Sequence, residues 1–370
     1  MRVLISGGGT GGHIFPALAV AGAVRRLYPE AEILFVGALG RMEMERVPAA
    51  GYRIIGLPVA GFNRRKLWKN IPVVFRLLKS MRMAKAILKE FRPDICVGVG
   101  GYASGPMLKA AQKRGIPTLI QEQNSYAGVT NKLLAKKADA ICVAYDGMER
   151  FFPAAKIEKT GNPVRAGIAD CPVGRAEAKA ELGFPADKPL VAVVGGSLGA
   201  RTVNDSMKGA LEAIMAAGAS VLWQTGKLYA EECRGFADSF LAEHPEVAGR
   251  LRVQPFIDRM DLVYAGADLM VSRAGASTIS EIQIAGMASV LVPSPNVAED
   301  HQRHNAEALA DKGAAVMVLD RDCRGCLAGT VTSLLASPGR LDEIRRAARA
   351  MALPGADDLI AERLLYIVKH

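Results

Sequence analysis

The sequence predicts an α/β protein made of two doubly wound parallel-sheet units. Three observations carry this expectation. Apolar strand-like runs alternate with helical patterns along nearly the whole chain, as parallel sheets covered on both faces require. A glycine-rich turn, Ser6-Gly7-Gly8-Gly9-Thr10-Gly11-Gly12-His13, directly follows the run Val3-Leu4-Ile5. A second, Gly195-Gly196-Ser197-Leu198-Gly199-Ala200, follows Leu190-Val191-Ala192-Val193-Val194 about half a chain later. A strand, a glycine turn and a helix in that order expose backbone N–H groups at a helix N-terminus, where the dipole favours an anion. Two such turns predict two halves facing each other across a cleft, with a phosphate-bearing small molecule as ligand.

The totals agree with this division. A chain of 370 residues suits two domains of about 150–200 residues each. Half of the residues are apolar and 23% are charged, as a packed globular protein requires. Met1-Arg2 leads straight into a strand, so no signal peptide is expected. No stretch of about 18 uncharged apolar residues is present, so no membrane-spanning helix is expected. The six cysteines, Cys96, Cys142, Cys171, Cys233, Cys323 and Cys326, are scattered and read as reduced thiols. Cys323 and Cys326 make a lone C-x-x-C without a second pair, which reads as a partly exposed loop rather than a zinc site.

In the first half, strands are expected at 2–6, 32–36, 53–57, 95–99, 117–121 and 140–144, with helices between them, for example 13–27 and 72–90. Pro16 falls in the first turn of the helix so placed, where a missing N–H costs little. Thr160-Gly161-Asn162-Pro163-Val164-Arg165 breaks both periodicities and reads as a linker. A second series of strands follows at 190–194, 219–224, 251–253, 268–272, 289–293 and 315–319. The expected division is therefore 1–163 and 164–351. A final helical pattern, 357–368 within a segment of about 352–370, is expected to pack back on the first unit.

The loops carry the chemistry. Gly7-x-Gly9-x-x-Gly12 matches the dinucleotide fingerprint, yet the next strand, Ile33-Leu34-Phe35-Val36-Gly37-Ala38-Leu39, ends without the acid that would hold a ribose diol. Neither glycine loop continues into Lys-Ser or Lys-Thr, so a Walker ATPase is also disfavoured. His13 stands at the mouth of the first loop, and an imidazole titrating near neutral pH can accept a proton from a sugar hydroxyl. Gly100-Gly101-Tyr102-Ala103-Ser104-Gly105-Pro106 and Gln121-Glu122-Gln123-Asn124 follow the fourth and fifth strands, where ligands of open α/β sheets bind. Their polar side chains suit a polyhydroxylated ligand. In the second half, Arg273-Ala274-Gly275-Ala276-Ser277-Thr278-Ile279-Ser280-Glu281 follows a strand; Ser277 or Thr278 is placed to start the helix and Glu281 falls in its first turn. A carboxylate there can accept both hydrogens of a ribose diol. The segment 293–306 adds His301, Gln302 and His304, without the carboxylate pattern of a metal site.

Taken together, these motifs closely resemble the MurG family of peptidoglycan N-acetylglucosaminyltransferases. The resemblance rests on Gly-Gly-Thr-Gly-Gly-His at 8–13, Gly-Gly-Tyr-Ala-Ser-Gly-Pro at 100–106, Glu-Gln-Asn at 122–124 and Gly-Asn-Pro-Val-Arg at 161–165. It continues through Gly-Gly-Ser-Leu-Gly-Ala at 195–200, the Arg273–Glu281 run and the Glu-Asp-His-Gln motif at 299–302. It implies the GT-B fold, two Rossmann-like domains with the first taking the acceptor and the second the donor. The implied reaction is inverting transfer of GlcNAc from UDP-GlcNAc to the C4 hydroxyl of MurNAc on undecaprenyl-pyrophosphoryl-MurNAc-pentapeptide (lipid I), giving lipid II. Donor contacts carried over are Thr10, Gly11, Gly12, Asn124, Arg165, Ser197, Ile257, Ala276, Ser277, Thr278, Ile279, Ser280, Glu281 and Gln302. Ser197 would hold the diphosphate with the loop backbone and Arg165 would add positive charge. Glu281 would hold the ribose and the Ile257 backbone would read uracil, while Asn124 and Gln302 bond the sugar. His13 is the first candidate for the base and Glu122 the second, with Tyr102 completing the catalytic set. Gln121 departs from members that carry His there. No metal or other cofactor is expected.

The net charge of +10 is concentrated rather than spread. Between Gly61 and Arg92 lie ten basic residues, Arg64, Arg65, Lys66, Lys69, Arg76, Lys79, Arg82, Lys85, Lys89 and Arg92, against one acid, Glu90. Within the helical pattern 71–91, Ile71, Phe75, Leu78 and Met81 share a face at 3.6-residue spacing, flanked by Arg76 and Lys79. With Trp68 they suit docking on anionic lipid, at about 1 kcal/mol per basic residue near the surface. A peripheral protein on the cytoplasmic face of the bacterial plasma membrane is expected. Nucleic acid is a poorer reading, because no nucleic-acid module accompanies the patch. Rival readings are another GT-B transferase using a UDP-sugar on a different lipid, a UDP-GlcNAc 2-epimerase, which would not need the basic apolar helix, and a nucleotide-sugar-binding regulator without catalysis.

Overall fold

The computed structural model describes residues 1–9, 11–61, 71–165, 167–169, 171–297 and 300–370, with the side chain of Ile71 outside that set. Thr10, Trp68 and the basic residues Arg64, Arg65, Lys66 and Lys69 lie outside the described residues, as does Glu299. The chain forms two compact units, Met1–Arg165 with Gly355–His370, and Ala166–Pro354.

The first unit runs β1 (Arg2–Ser6), α1 (Gly11–Leu27), β2 (Glu32–Ala38), α2 (Glu43–Ala49), β3 (Arg53–Leu57), α3 (Ile71–Phe91), β4 (Ile95–Gly98), α4 (Ser104–Gln112), β5 (Thr118–Glu122), α5 (Val129–Ala135), β6 (Ala140–Val143) and β7 (Ile157–Lys159). Its strands form one parallel sheet in the order β3-β2-β1-β4-β5-β6-β7. Successive side chains of a strand point to opposite faces, and both faces here are covered. Leu4, Leu34, Cys96 and Ile120 pack with Ala84, Leu88, Met107 and Leu134 of α3, α4 and α5. Val3, Ile5 and Val97 pack on the other face with Val20 and Val24 of α1. Burial pushes the Cys96 and Cys142 thiols up to about 12, so both stay protonated in the core.

The second unit runs α6 (Arg175–Glu181), β8 (Leu190–Val194), α7 (Arg201–Ala216), β9 (Ser220–Gln224), α8 (Ala230–Glu243), β10 (Leu251–Gln254), α9 (Met260–Gly266), β11 (Leu269–Ser272), α10 (Ala276–Ala285), β12 (Ser289–Leu291), α11 (His301–Ala310), β13 (Val316–Met317), α12 (Cys323–Leu335) and α13 (Pro338–Ala350). Its parallel sheet has the order β10-β9-β8-β11-β12-β13. The chain then returns to the first unit as α14 (Ala356–Lys369), which lies on α1. Ile360, Ala361, Leu364 and Leu365 enter the core there, and Arg26 donates to Asp357 Oδ2 at 2.9 Å and Asp358 Oδ1 at 2.6 Å.

Four local differences from the sequence-based expectations have physical causes. Helix α1 begins at Gly11, inside the glycine run, so Pro16 is its sixth residue and not in its first turn. The i→i−4 bond to Gly12 is therefore missing from the helix. Strand β12 stops at Leu291 rather than 293, because Pro293 has no N–H to give a ladder. The C-x-x-C is the first turn of α12, with Cys323 buried and Cys326 exposed, and not a loop. Helix α10 begins at Ala276 behind Gly275, which places Glu281 in its second turn.

Candidate active site

In each sheet the strand order reverses once, between β1 and β4 in the first unit and between β8 and β11 in the second. Ligands of open parallel sheets bind beyond the strand C-termini at such a reversal. The two glycine loops follow β1 and β8, and the motifs at 100–106 and 273–281 follow β4 and β11, so all four flank a reversal.

In the first unit, the His13 ring lies against Gly100. A methyl group built at Gly100 would stand 2.7 Å from His13 Cδ2 and 2.8 Å from Nε2, and the backbone there has φ +88°, so glycine is required on both counts. A methyl at Gly101, φ +81°, would overlap the Gly8 carbonyl. The two loops thus touch backbone to backbone. Tyr102 is exposed, and its ring and hydroxyl lie against Gly61. The Arg165 guanidinium stacks 5.1 Å over the ring of Phe15 on α1.

Glu122 needs a correction as the second-choice base. It is 2% exposed, and its Oε1 accepts from Asn124 N and Asn124 Nδ2, both at 3.1 Å. Its Oε2 accepts from Gly128 N and Asn131 Nδ2, both at 2.9 Å. Four N–H donors within the unit already engage both oxygens, so this buried side chain is not presented to a substrate hydroxyl. It organises the loop after β5 and orients Asn124. Beside it a chain of buried amides crosses to the linker. Gln121 Nε2 donates to Asn162 Oδ1 at 2.9 Å, and Asn162 Nδ2 donates to the Gln123 carbonyl at 2.9 Å. Gln123 Nε2 donates to the Val99 carbonyl at 2.8 Å, which ties the β5 loop to the β4 loop.

In the second unit, Ser197 is half-buried in the turn before α7, and its carbonyl accepts from Lys227 N at 3.2 Å. Gly199 and Gly226 leave no room for a Cβ between the two turns. Ala276, Ile279 and Ser280 of α10 are buried, while Ser277 and Thr278 stay half-exposed at its start. Glu281 is 2% exposed and accepts from the Tyr264 hydroxyl at 3.0 Å. The Ile257 amide donates to Gln224 Oε1 at 2.9 Å, so that amide is engaged within the unit. Gln302 Oε1 accepts from Ser294 N at 2.9 Å, and Asn305 Nδ2 donates to the Ala274 carbonyl at 3.3 Å. His304 Nδ1 stands 3.4 Å from Glu307 Oε2. Among the described residues no group of three or more His, Cys, Asp or Glu is placed to hold a metal ion.

Three residues gain importance only in three dimensions. Tyr264 of α9 meets Glu281 seventeen residues on. Arg273 is no free anion-binding group, because Nη1 donates to Asp320 Oδ1 at 2.5 Å and to the carbonyls of Val292 and Pro293. Asp320 in turn accepts from Thr202 Oγ1 of α7 at 2.9 Å. Glu43 sends its carboxylate under the first glycine loop. None of these has a local sequence signal, since each partner lies on another element.

Helix α3 leaves an apolar and basic face open. Phe75 is 68% and Leu78 54% exposed, with Val74 also exposed, and Arg76, Lys79 and Arg82 are exposed beside them. Met81 turns inward and packs against the core, so it leaves the expected docking set. Among the described residues no helix is long and apolar enough to cross a membrane.

Comparison with known proteins matches both units. Residues 3–143 match the glycosyltransferase family 28 N-terminal domain, and residues 190–360 match the C-terminal domain of the same family. A UDP-N-acetylglucosamine–N-acetylmuramyl-(pentapeptide) pyrophosphoryl-undecaprenol N-acetylglucosamine transferase from Parabacteroides distasonis is 52% identical over 369 residues, 99% of this chain and 98% of that protein. The crystal structure of Acinetobacter baumannii MurG is 31% identical, with a TM-score of 0.75 over 99% of each chain. A UDP-GlcNAc 2-epimerase from Neisseria meningitidis, bound to UDP-GlcNAc, has a TM-score of 0.68 at 12% identity over 99% of this chain and 100% of its own. That last likeness is one of fold alone. Both sheets, both domain matches and the full-length identity agree: the chain belongs to the MurG family of GT-B glycosyltransferases.

Proposed function

We propose that this chain transfers GlcNAc from UDP-GlcNAc to the C4 hydroxyl of MurNAc in undecaprenyl-pyrophosphoryl-MurNAc-pentapeptide, inverting the anomeric carbon and producing lipid II. One observation carries the reading. The 52% identity to a transferase named for these substrates spans 99% of the chain, and so includes all the loops at both strand reversals.

His13 is the proposed base. Its imidazole takes the C4 hydroxyl proton while the oxygen lone pair attacks the anomeric carbon from the face opposite the phosphate. The bond from that carbon to the diphosphate oxygen breaks, and its electron pair leaves with UDP. A single displacement of this kind inverts the centre, and general-base assistance contributes about 10²–10⁴-fold. Tyr102 lines the same mouth as a proposed acceptor contact. Ser197, the turn backbone and the N-terminus of α7 hold the diphosphate, where the helix dipole favours its charge. Arg165 adds positive charge, and these groups take the part a divalent metal plays elsewhere, so activity in EDTA is expected.

Glu281, oriented by Tyr264, accepts the ribose hydroxyls, and the Ile257 carbonyl accepts from uracil. Ala276 to Ser280 bring helix backbone up to the nucleotide. The Gln302 NH₂ and the Asn124 carboxamide bond GlcNAc hydroxyls, with Thr10, Gly11 and Gly12 on the sugar side. Helix α3 docks the chain on anionic lipid through Phe75, Leu78, Arg76 and Lys79, with Ile71 at its start, at the cytoplasmic face of the plasma membrane where the acceptor's tail is anchored.

The test is transfer of radiolabelled GlcNAc to a short-chain lipid I analogue in EDTA. The parent is expected to be active. His13→Ala should lower kcat by about 10²–10⁴-fold. Glu281→Ala should raise KM for UDP-GlcNAc by roughly 10- to 100-fold, the value of one or two charged hydrogen bonds. Activity that vanishes in EDTA and returns with magnesium would overturn the metal-free mechanism. Bound UDP-GlcNAc without transfer would move the search to other acceptors or to epimerisation.

A further inference from the structure

The first glycine loop carries its own anion. Glu43 opens α2, follows β2, and is only 1% exposed. Both of its oxygens accept from Gly9 N, each at 3.0 Å, and Oε1 also accepts from Ala38 N at 2.9 Å. The surrounding backbone is shaped to admit this side chain. A methyl at Gly8, where φ is +134°, would overlap the Glu43 carboxylate, and one at Gly37 would stand 2.6 Å from Glu43 Cγ. In a dinucleotide fold the N–H groups of such a turn face a phosphate. Here the Gly9 N–H faces a buried carboxylate from the same unit, and a second anion at that amide would meet like charge.

We infer that Glu43 is a positioning residue for the transfer reaction: its carboxylate replaces a ligand phosphate under the first loop and locks that loop, and with it His13, against the loop after β4. The inference rests on the role proposed for His13. The mechanical path is short. Glu43 fixes Gly9 and Ala38; Gly8, next to Gly9, abuts Gly101 through its carbonyl; and His13, at the start of α1, rests on Gly100. Three strand ends, those of β1, β2 and β4, are thereby held in one arrangement. The first loop then serves to aim a side chain, and the anion-binding function of a glycine turn is kept by the loop after β8. This explains why the fingerprint at Gly7, Gly9 and Gly12 occurs without an acid at the end of β2 for a ribose. The acid comes five residues after that strand and turns back to the loop itself.

The experiment uses the full chain with Glu43→Gln and Glu43→Asp beside His13→Ala and the parent. Steady-state transfer to the lipid I analogue, KM for UDP-GlcNAc and thermal unfolding are measured on each. Glu43→Gln places an NH₂ where Oε2 accepts from Gly9, so the loop shifts while the volume is kept. The expected result is a fall in kcat of about 100-fold, the cost of misplacing a reacting group by about 1 Å. KM for UDP-GlcNAc should rise by less than kcat falls, because Gly11 and Gly12 are proposed sugar contacts while the proposed nucleotide contacts lie in the second unit, and activity is compared per folded molecule. Glu43→Asp, which keeps the charge on a shorter arm, should recover part of kcat. A double variant with His13→Ala should be no slower than His13→Ala alone, since both changes remove one device. Parental kcat in Glu43→Gln, or full additivity in the double variant, would overturn the inference. An effect of His13→Ala on binding alone, with kcat intact, would instead overturn the role given to His13, while Glu43→Gln would still report on loop geometry through kcat.

Discussion

At Asp268 a single carboxylate faces three cations. Lys179 Nζ lies at 2.7 Å, Arg175 Nη1 at 3.4 Å and Arg345 Nη2 at 3.6 Å, and Leu190 N donates to Oδ2 at 2.9 Å. Lys179 is buried, and its Nζ also donates to the Lys188 carbonyl at 2.7 Å. Removing one member of a buried pair costs about 3–5 kcal/mol, because the other charge is left without compensation. Asp268→Asn should therefore lower the stability of the second unit by about that amount in denaturant titration. It precedes β11, at the end opposite the candidate site, so kcat per folded molecule should hold. A drop in kcat at unchanged stability would contradict this placement. The same contrast governs what could be read in the sequence at this scale. For Glu281 the sequence showed that its run Arg273–Glu281 follows a strand directly, but not its burial in the second helical turn against Tyr264. Glu43 was not legible, because nothing near it in sequence tells that its carboxylate turns back beneath Gly9. Glu122 was legible as a polar residue at a strand end but not as an organiser, since its four donors are the backbone of Asn124 and Gly128 and the side chains of Asn124 and Asn131.

Among the elements, the central strands were the most legible. Val3, Leu4 and Ile5 or Val191, Ala192 and Val193 are buried on both faces, and an uninterrupted apolar run is the mark of that environment. The edge strand β7 went unread because it has three residues and only partial burial. The start of α1 was misread because glycines at 11 and 12 look like loop, yet they continue the helix. Helix α3 splits into two regimes along its length. From Ser80 onward it is pinned by Ala84, Ile87 and Leu88, whereas Val74, Phe75, Leu77 and Leu78 are exposed without an acidic neighbour on the helix. An apolar tip with a basic collar is the chemistry of an anionic lipid surface, where the side chains insert and each cation adds about 1 kcal/mol. Phe75→Asp with Lys79→Glu should reduce sedimentation with vesicles containing anionic phospholipid by about 10-fold or more, since two apolar and electrostatic contributions reverse together. Binding to neutral vesicles should be weak for the parent too. Unchanged binding of the double variant would remove α3 from membrane docking.

For the whole molecule, the consequential fact is that the first unit is not continuous in sequence. After Pro354, Gly355 takes φ +72° and the chain returns as α14 to cover α1. Ile360, Leu364 and Leu365 are buried there, and Asp357 and Asp358 sit in the first turn of α14, where they meet Arg26. Burying three such side chains contributes about 1.5–3 kcal/mol each, which is comparable to the roughly 5–15 kcal/mol that holds a whole domain folded. The exposed ion pairs add little beside that. A chain ending at Pro354 should therefore lose the first unit selectively. Its α1 would lose the cover that Ile360, Ala361, Leu364 and Leu365 give the first unit, while the cores of the second unit contain no residue of α14. Calorimetry of the shortened chain should show one transition near the parental temperature and loss or marked lowering of the other. UDP binding, proposed to run through Ser197 and Glu281, should persist while transfer is abolished. Restoring Arg26 pairing alone would not rescue it, whereas a chain ending after His370 but carrying Leu364→Ala should show the same selective loss in milder form, about 2–5 kcal/mol. If both transitions moved together, the units would unfold as one and this division of stability would be wrong.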